Sequence, residues 1–171
     1  MNSSASVNVL FVCLGNICRS PTAHGVFQHL VNRHRLHDAI HIDSAGTGDW
    51  HIGHAPDKRS TAAALQRGYD LSVLRARQVS RHDFERFDYI LAMDAQNLRD
   101  LQQIQPAHFR GELDLFLKYR ELRHGAGHLN EVPDPYYGGE EGFEQVLDLV
   151  EEAADGLLRA IANKHKLTLI D

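Results

Sequence analysis

Residues 7–20 read Val-Asn-Val-Leu-Phe-Val-Cys-Leu-Gly-Asn-Ile-Cys-Arg-Ser. The apolar, β-branched run at 7–12 predicts a buried strand, and the Gly-Asn pair that follows predicts a tight loop. From Ser20 onward, apolar residues recur at the spacing of one helix face, at Ala23, Val26, Phe27, Leu30 and Val31. Ser20 is expected to cap this helix, since serine is a preferred capping residue and the next residue, Pro21, is tolerated in a first turn. The stretch therefore predicts a strand, a tight loop and a helix.

The same alternation continues along the chain. Further strands are predicted at 39–43, 88–93 and 113–117. A second helix opens near Asp57 with Ala62, Ala63 and Leu65 facing inward, Asp94 caps another helix, and the apolar residues of 143–161 keep a helical period. A long loop is predicted at 119–138. Strands that alternate with helices predict a doubly wound α/β sandwich, whose ligand lies beyond the carboxyl ends of the strands.

Size and charge restrict the class of protein. The chain has 171 residues and a formal charge of −5, with 43% hydrophobic and 24% charged residues, so we expect one domain over 1–171. No basic tract favours a nucleic acid partner. Two cysteines do not form a secreted disulfide framework, and no segment is typical of a signal peptide or membrane insertion. We therefore expect a cytoplasmic protein.

The loop between the first strand and helix carries residue types suited to phosphate chemistry. A loop that closes onto a helix N-terminus turns backbone N–H groups into one concavity, and Leu14, Gly15, Asn16, Ile17 and Cys18 would form it. Gly15 and Asn16 tolerate the positive φ that such curvature demands. Arg19 can bind two phosphate oxygens, and a Cys13 thiol at the base would be stabilised as a thiolate nucleophile.

A second segment offers the acid that such a nucleophile needs. Asp134 lies between Pro133 and Pro135, which stiffen the backbone on both sides of its carboxyl group. Tyr136 and Tyr137 follow directly and offer aromatic surface to a planar substrate.

These two motifs together resemble the low molecular weight protein tyrosine phosphatase family. Further segments resemble the family as well, at 43–47, 49–50, 76–78, 87–94 and 97–101. The resemblance implies a three-layer sandwich around a four-stranded parallel sheet, a cysteinyl-phosphate intermediate, and no metal or cofactor. The substrate would be a phosphotyrosine protein or an aryl phosphate, and the chain would be a monomer or weak homodimer.

The resemblance also implies roles for individual residues. Cys13 would be the nucleophile, Arg19 the phosphate clamp, and Asp134 the general acid and then the base. Ser20 would donate to the thiolate, while Asn16 and Ser44 would brace the loop. The phosphotyrosine slot would be walled by Trp50, Tyr136 and Tyr137. Where the family often has a histidine shortly before Ala-Arg-Gln, this chain has Ser-Val-Leu-Arg at 72–75.

Other residues leave alternatives open. Cys18 could form a reversible disulfide with the nucleophile or be a packed thiol. His51 with His54, and His124 with His128, have spacings that a metal could use, but solvated surface histidines are the favoured interpretation.

Three other functions fit part of the pattern. An arsenate reductase of the same fold would need further cysteines to relay a disulfide. A phosphate-binding module without catalysis would not need Cys13 or Asp134. A thiol redox protein would use the two cysteines but would not need Arg19.

Overall fold

A four-stranded parallel sheet forms the centre of the molecule. The structure is a computed structural model that describes residues 6–120 and 130–170. The strands are β1 (Val7–Cys13), β2 (Ile40–Gly46), β3 (Tyr89–Ala92) and β4 (Glu112–Leu115). Their order in the sheet is β2-β1-β3-β4, and all three pairings are parallel. The predicted parallel α/β sheet is confirmed.

Five α-helices connect and cover these strands in the described residues. They are α1 (Arg19–Arg33), α2 (Lys58–Gln66), α3 (Asp83–Arg86), α4 (Ala95–Ile104) and α5 (Glu140–His165). A short 3₁₀ helix, Phe116–Tyr119, follows β4. No helix in these parts of the chain is apolar over enough of its length to cross a bilayer.

Alternation along β1 builds an apolar core on each side of the sheet. Successive strand residues point to opposite faces, so Val9 and Phe11 join the core formed with α1 and α5. Leu10 and Val12 join the second core, which includes residues of α3 and α4. All four side chains are fully buried. Helices therefore cover both faces, as the prediction of a three-layer sandwich requires.

The structure corrects several local predictions. β2 extends to Gly46, beyond the predicted end at 43, because its last residues pair with β1 up to Cys13. β4 ends at Leu115, and the next residues turn into the 3₁₀ helix. The predicted inward face of α2 is only partly correct: Ala63 packs against the core, but Ala62 and Leu65 are exposed. Ser60 and Ala64 are the buried residues of this helix.

The sheet topology decides where the loop of interest lies. β1 and β3 are neighbours and run in the same direction, so their carboxyl ends meet at one edge of the sheet. Cys13 ends β1, and Asp94 follows β3 after a single intervening residue. Residues far apart in sequence are thereby brought to one site.

Candidate active site

The loop between β1 and α1 curls as predicted, but by different means at its two central residues. Asn16 adopts a φ of 57°, the left-handed conformation that the curvature was expected to require. Gly15 does not, since the positive-φ glycines in the described chain are Gly53 and Gly68. Gly15 instead makes room for a neighbour, because a Cβ there would lie 2.9 Å from the His51 ring.

The loop turns its carbonyl oxygens away from the cavity that it encloses. The carbonyls of Cys13, Leu14 and Ile17 accept hydrogen bonds from other segments. The donors are the N–H groups of Thr47, Gly48 and Asp57, at 2.9, 2.9 and 2.8 Å. A loop with outward carbonyls presents its N–H groups inward, which is the arrangement of an anion-binding nest. Gly46 packs against this backbone, where a Cβ would approach the Leu14 carbonyl to 2.7 Å.

Cys13 lies at the base of this loop and receives several polar contacts. Its side chain is buried, and its Sγ atom accepts hydrogen bonds from the backbone N–H groups of Asn16 at 3.3 Å and Ser20 at 3.5 Å. The Ser20 hydroxyl lies 3.0 Å from the same sulfur. N–H groups directed at the sulfur fix its position and use it as a hydrogen-bond acceptor. These contacts therefore suit a nucleophilic thiolate.

The expectation that Ser20 caps α1 is wrong. The helix begins at Arg19, and its cap residue is Cys18, which makes no side-chain capping bond. The Ser20 hydroxyl is used elsewhere, because it accepts a 2.8 Å hydrogen bond from the Asn16 side chain in addition to its contact with sulfur. The Ser20 hydroxyl therefore stabilises the loop and does not cap the helix.

Asn16 connects the loop to the segment at residue 77, whereas the side chain of Ser44 contacts α1. Asn16 is buried, and its Oδ1 accepts a 3.0 Å hydrogen bond from the backbone N–H of Arg77. The Arg77 guanidinium is paired with Asp43 and with the buried Asp83, each at 3.0 Å. The Ser44 hydroxyl lies on β2, 3.2 Å from Nδ1 of His24.

His24 is a neighbour of Ser44 that the sequence analysis did not identify. It extends from α1, whereas the family histidine considered above would come from the stretch at 72–75. Burial lowers its pKa below the ordinary value, against an opposing effect of the Asp43 charge. His24 is therefore held as a neutral imidazole near neutral pH.

Arg19 lies beside the thiol and is surrounded by acceptors. Only 3% of its side chain is exposed, and its Nη1 donates to Asp94 at 2.7 Å and to the Val132 carbonyl at 3.1 Å. Its Nη2 lies 3.7 Å from a carboxylate oxygen of Asp134. Burial opposes its charge, but the pKa of Arg19 is raised overall by the Cys13 sulfur, Asp94 and Asp134. The guanidinium is a fixed cation at the mouth of the nest.

Asp134 lines the same cavity as the loop residues. Its Oδ1 accepts a 3.0 Å hydrogen bond from the backbone N–H of Tyr136, and 40% of its side chain is exposed. An exposed carboxyl group near a buried cation can exchange protons with both water and a bound substrate. Asp134 thus lies at the cavity, where it could give a proton to a bound substrate.

The cavity between these groups has a volume of about 420 Å³. It is lined by Cys13, Leu14, Gly15, Ile17, Cys18, Arg19, Trp50, His51, Asp134, Tyr136 and Tyr137. Trp50 and Tyr137 are 65% and 90% exposed, so they form its outer rim. The predicted residues Asn16, Ser20 and Ser44 do not line the cavity. Asn16 and Ser20 contact each other behind the loop.

Two residues of this site were not predicted to take part in it. Asp94 was predicted only as a helix cap, and it is also the shortest ionic partner of Arg19. His51 was considered only for metal binding, and it lines the cavity. The sequence did contain a signal for Asp94, because a polar residue just after a strand adjacent to β1 must lie near the loop.

The remaining thiol and histidines have no assigned chemistry. Burial raises the pKa of the Cys18 thiol to about 12, although a hydrogen bond with Ser60 opposes the change. The rings of His51 and His54 are 5.7 Å apart, and no cluster of three potential metal ligands occurs in residues 6–120 and 130–170. His124 and His128 lie outside the described residues.

Comparison with known proteins agrees with this geometry. The family described as low molecular weight phosphotyrosine protein phosphatase matches residues 8–167. The low molecular weight protein-tyrosine-phosphatase of Streptomyces coelicolor is 43% identical over 153 residues, covering 90% of this chain and 92% of that protein. The corresponding Schizosaccharomyces pombe phosphatase is 41% identical over 158 residues, covering 92% and 98%.

A solved structure leads to the same assignment. The crystal structure of a protein tyrosine phosphatase from Entamoeba histolytica has a TM-score of 0.85 and 38% identity, covering 95% of this chain and 100% of that one. The fold and these similarities define a protein tyrosine phosphatase. The chain belongs to the low molecular weight phosphotyrosine protein phosphatase family. The arsenate reductase, phosphate-binding and thiol redox alternatives are not favoured by these matches.

Proposed function

We propose that this phosphatase hydrolyses phosphotyrosine and aryl phosphates through a cysteinyl-phosphate on Cys13. The observation that carries the proposal is the position of its sulfur, which receives hydrogen bonds from the loop and lies below a cavity flanked by Arg19 and Asp134. A phosphoryl group bound by the loop N–H groups would place its phosphorus above the sulfur.

The first step transfers the phosphoryl group to the enzyme. The Cys13 thiolate attacks phosphorus, an S–P bond forms, and the bond from phosphorus to the aryl oxygen breaks. Asp134 gives its proton to the departing oxygen, so the leaving group departs as a neutral phenol. Arg19 and the loop N–H groups stabilise the charge on the phosphoryl oxygens in the transition state.

The second step releases phosphate. Water attacks the cysteinyl-phosphate while the Asp134 carboxylate takes a proton from it, and the sulfur leaves as a thiolate. Arg19 again balances the phosphoryl charge. Trp50, Tyr136 and Tyr137 would contact the aromatic ring of the substrate at the cavity rim, since all three line the cavity. These two steps use side chains and backbone N–H groups of the protein together with water.

The test compares turnover of para-nitrophenyl phosphate and phenyl phosphate by the wild type and by variants. Cys13→Ser is expected to abolish turnover while inorganic phosphate still stabilises the protein in thermal unfolding. Thermal unfolding of Cys13→Ser without phosphate is the control, because it shows whether the substitution leaves the fold intact. Activity that survives in Cys13→Ser, or wild-type activity that is lost with a chelator, would contradict the mechanism.

The acid is tested in the same assay. Asp134→Asn should reduce phosphoryl transfer from phenyl phosphate by about 10²–10⁴-fold. The loss should be smaller for para-nitrophenyl phosphate, whose leaving group is already a stable anion. Single-turnover measurement separates this step from hydrolysis of the intermediate. An equal loss with both substrates would exclude Asp134 as the acid.

A further inference from the structure

The segment that carries Asp134 is fixed on both sides of that residue. Two positions before it, the N–H of Val132 donates to the carbonyl of Met93 at 2.7 Å, just after β3. Two positions after it, the carbonyl of Tyr136 accepts a 3.0 Å hydrogen bond from Nη2 of Arg59 on α2. The position of Asp134 therefore depends on an arginine that does not line the cavity.

Arg59 is itself held in place on several sides. Its guanidinium carbon lies 4.8 Å from the centre of the Phe143 ring and 5.5 Å from that of Tyr136. Phe143 is buried near the start of α5, so it offers a fixed surface. The Nε and Nη2 atoms of Arg59 donate to the two carboxylate oxygens of Asp57 at 3.2 and 3.0 Å. A forked, stacked guanidinium of this kind has a defined orientation although 45% of the side chain is exposed.

Asp57 connects this arginine to the other half of the active site. Its carboxylate caps α2 by accepting from the N–H groups of Arg59 and Ser60. Its own backbone N–H donates to the carbonyl of Ile17 in the phosphate-binding loop at 2.8 Å. The start of α2 thus contacts the nucleophile loop through Asp57 and the acid segment through Arg59.

A single residue, Tyr136, connects Arg59 to the acid. The carbonyl of Tyr136 is bound by Arg59, and the N–H of Tyr136 donates to Oδ1 of Asp134 at 3.0 Å. A shift of Tyr136 would therefore move or release the Asp134 carboxyl group. Small displacements of a reacting group have large effects on rate, up to about 10²-fold for 1 Å.

We propose that Arg59 is a positioning residue that sets the distance between Asp134 and the phosphoryl group on the nucleophile loop. Arg59 does not line the cavity, and it acts through the backbone of Tyr136. The inference rests on the proposed function, because it requires Asp134 to be the general acid.

The test uses Arg59→Gln and Arg59→Lys in single-turnover phosphoryl transfer. Arg59→Gln removes the charge, the fork and the stacking, and should slow transfer from phenyl phosphate about tenfold. Transfer from para-nitrophenyl phosphate should slow much less, and KM should change little for either substrate. Arg59→Lys keeps the charge but not the planar fork, so its loss should be intermediate.

Two controls separate positioning from a general effect on the fold. Lys58→Gln makes the same change in charge at the neighbouring exposed residue and should leave both rates near those of the wild type. In an Asp134→Asn background, Arg59→Gln should add almost no further loss, because both changes remove the same proton transfer. Thermal unfolding of each variant reports its folding.

Several results would overturn the proposal. Equal slowing with both substrates, or losses that multiply in the double variant, would show that Arg59 does not act through the acid. If Arg59→Gln fails to fold, Arg59→Lys must still show the difference between leaving groups, and its absence refutes the inference. Failure of the proposed function is distinct: the wild type would then not form a cysteinyl-phosphate, or Asp134→Asn alone would show no dependence on the leaving group.

Discussion

Asp94 has two roles in the structure, and a single substitution separates them. Its carboxylate caps α4 in a capping box with Asn97, and it also pairs with Arg19 at 2.7 Å. Asn is as good a cap as Asp, so Asp94→Asn keeps the helix start and removes mainly the charge opposite Arg19. Asp94→Ala removes both. The difference in free energy of unfolding between the two variants measures the contribution of the cap. The difference between Asp94→Asn and the wild type measures the contribution of the ion pair.

The burial of the pair sets the expected magnitude. Removing one partner of a fully buried pair costs about 3–5 kcal/mol. Asp94 is 22% exposed, and Asp134 still lies 3.7 Å from the guanidinium, so solvent and the second carboxylate reduce the loss. We expect Asp94→Asn to lower the free energy of unfolding by about 2 kcal/mol, and Asp94→Ala by about 1 kcal/mol more. For a chain of this size, 2 kcal/mol corresponds to a Tm lower by about 4–8 °C.

Urea unfolding of the two variants and the wild type provides the assay, with inorganic phosphate as a second variable. In Asp94→Asn the guanidinium keeps only the more distant Asp134 as an ionic partner, so it should gain more from a bound anion. Phosphate should therefore raise the urea midpoint of this variant more than that of the wild type. The reasoning is refuted if Asp94→Asn unfolds within about 0.5 kcal/mol of the wild type, the range of ordinary surface substitutions. It is also refuted if phosphate stabilises both proteins equally.

Three further predictions concern two buried titratable groups, His24 and Cys18. Burial lowers the pKa of His24 below its ordinary value of 6.5, so between these two values the unfolded chain binds a proton that the native chain does not. The free energy of unfolding should therefore fall as pH decreases below about 6.5, and urea unfolding of His24→Gln should show a flatter dependence. Burial raises the pKa of the Cys18 thiol to about 12, so alkylation by iodoacetamide near neutral pH, mapped by mass spectrometry, should modify Cys13 well before Cys18. If Cys18 serves as a resolving thiol, Cys18→Ser should recover less activity with reductant after peroxide, and equal recovery would assign it to packing.

The central sheet and the nucleophile loop could be predicted because their signals are local. The run from Val7 to Cys13 is apolar and β-branched, and a strand, a tight loop and a helix follow one another within a short stretch. The extents of the strands were less predictable. β2 continues to Gly46 because of pairing with β1, and that pairing is a tertiary contact.

The residues that could not be predicted owe their positions to other parts of the fold. Leu65 is 61% exposed because the orientation of α2 follows from its contacts with the loop and with α5, not from the most apolar face of the helix. Serine is a common capping residue, but the Ser20 hydroxyl contacts the Cys13 sulfur and does not cap α1. Arg59 gives no signal in the sequence, since its partner on the acid segment is a backbone carbonyl.

The acceptors around Arg19 have a consequence for how the protein refolds. Asp94 and the Val132 carbonyl lie 75 and 113 positions away from Arg19 along the chain, on segments that meet only when the sheet is assembled. Helices form within about a microsecond, whereas contacts between distant segments form later because closing long loops is entropically costly. After dilution from denaturant, helical circular dichroism should therefore return before phosphatase turnover. Recovery of enzyme activity would then report the late step in which the segments carrying Asp94 and Val132 reach Arg19.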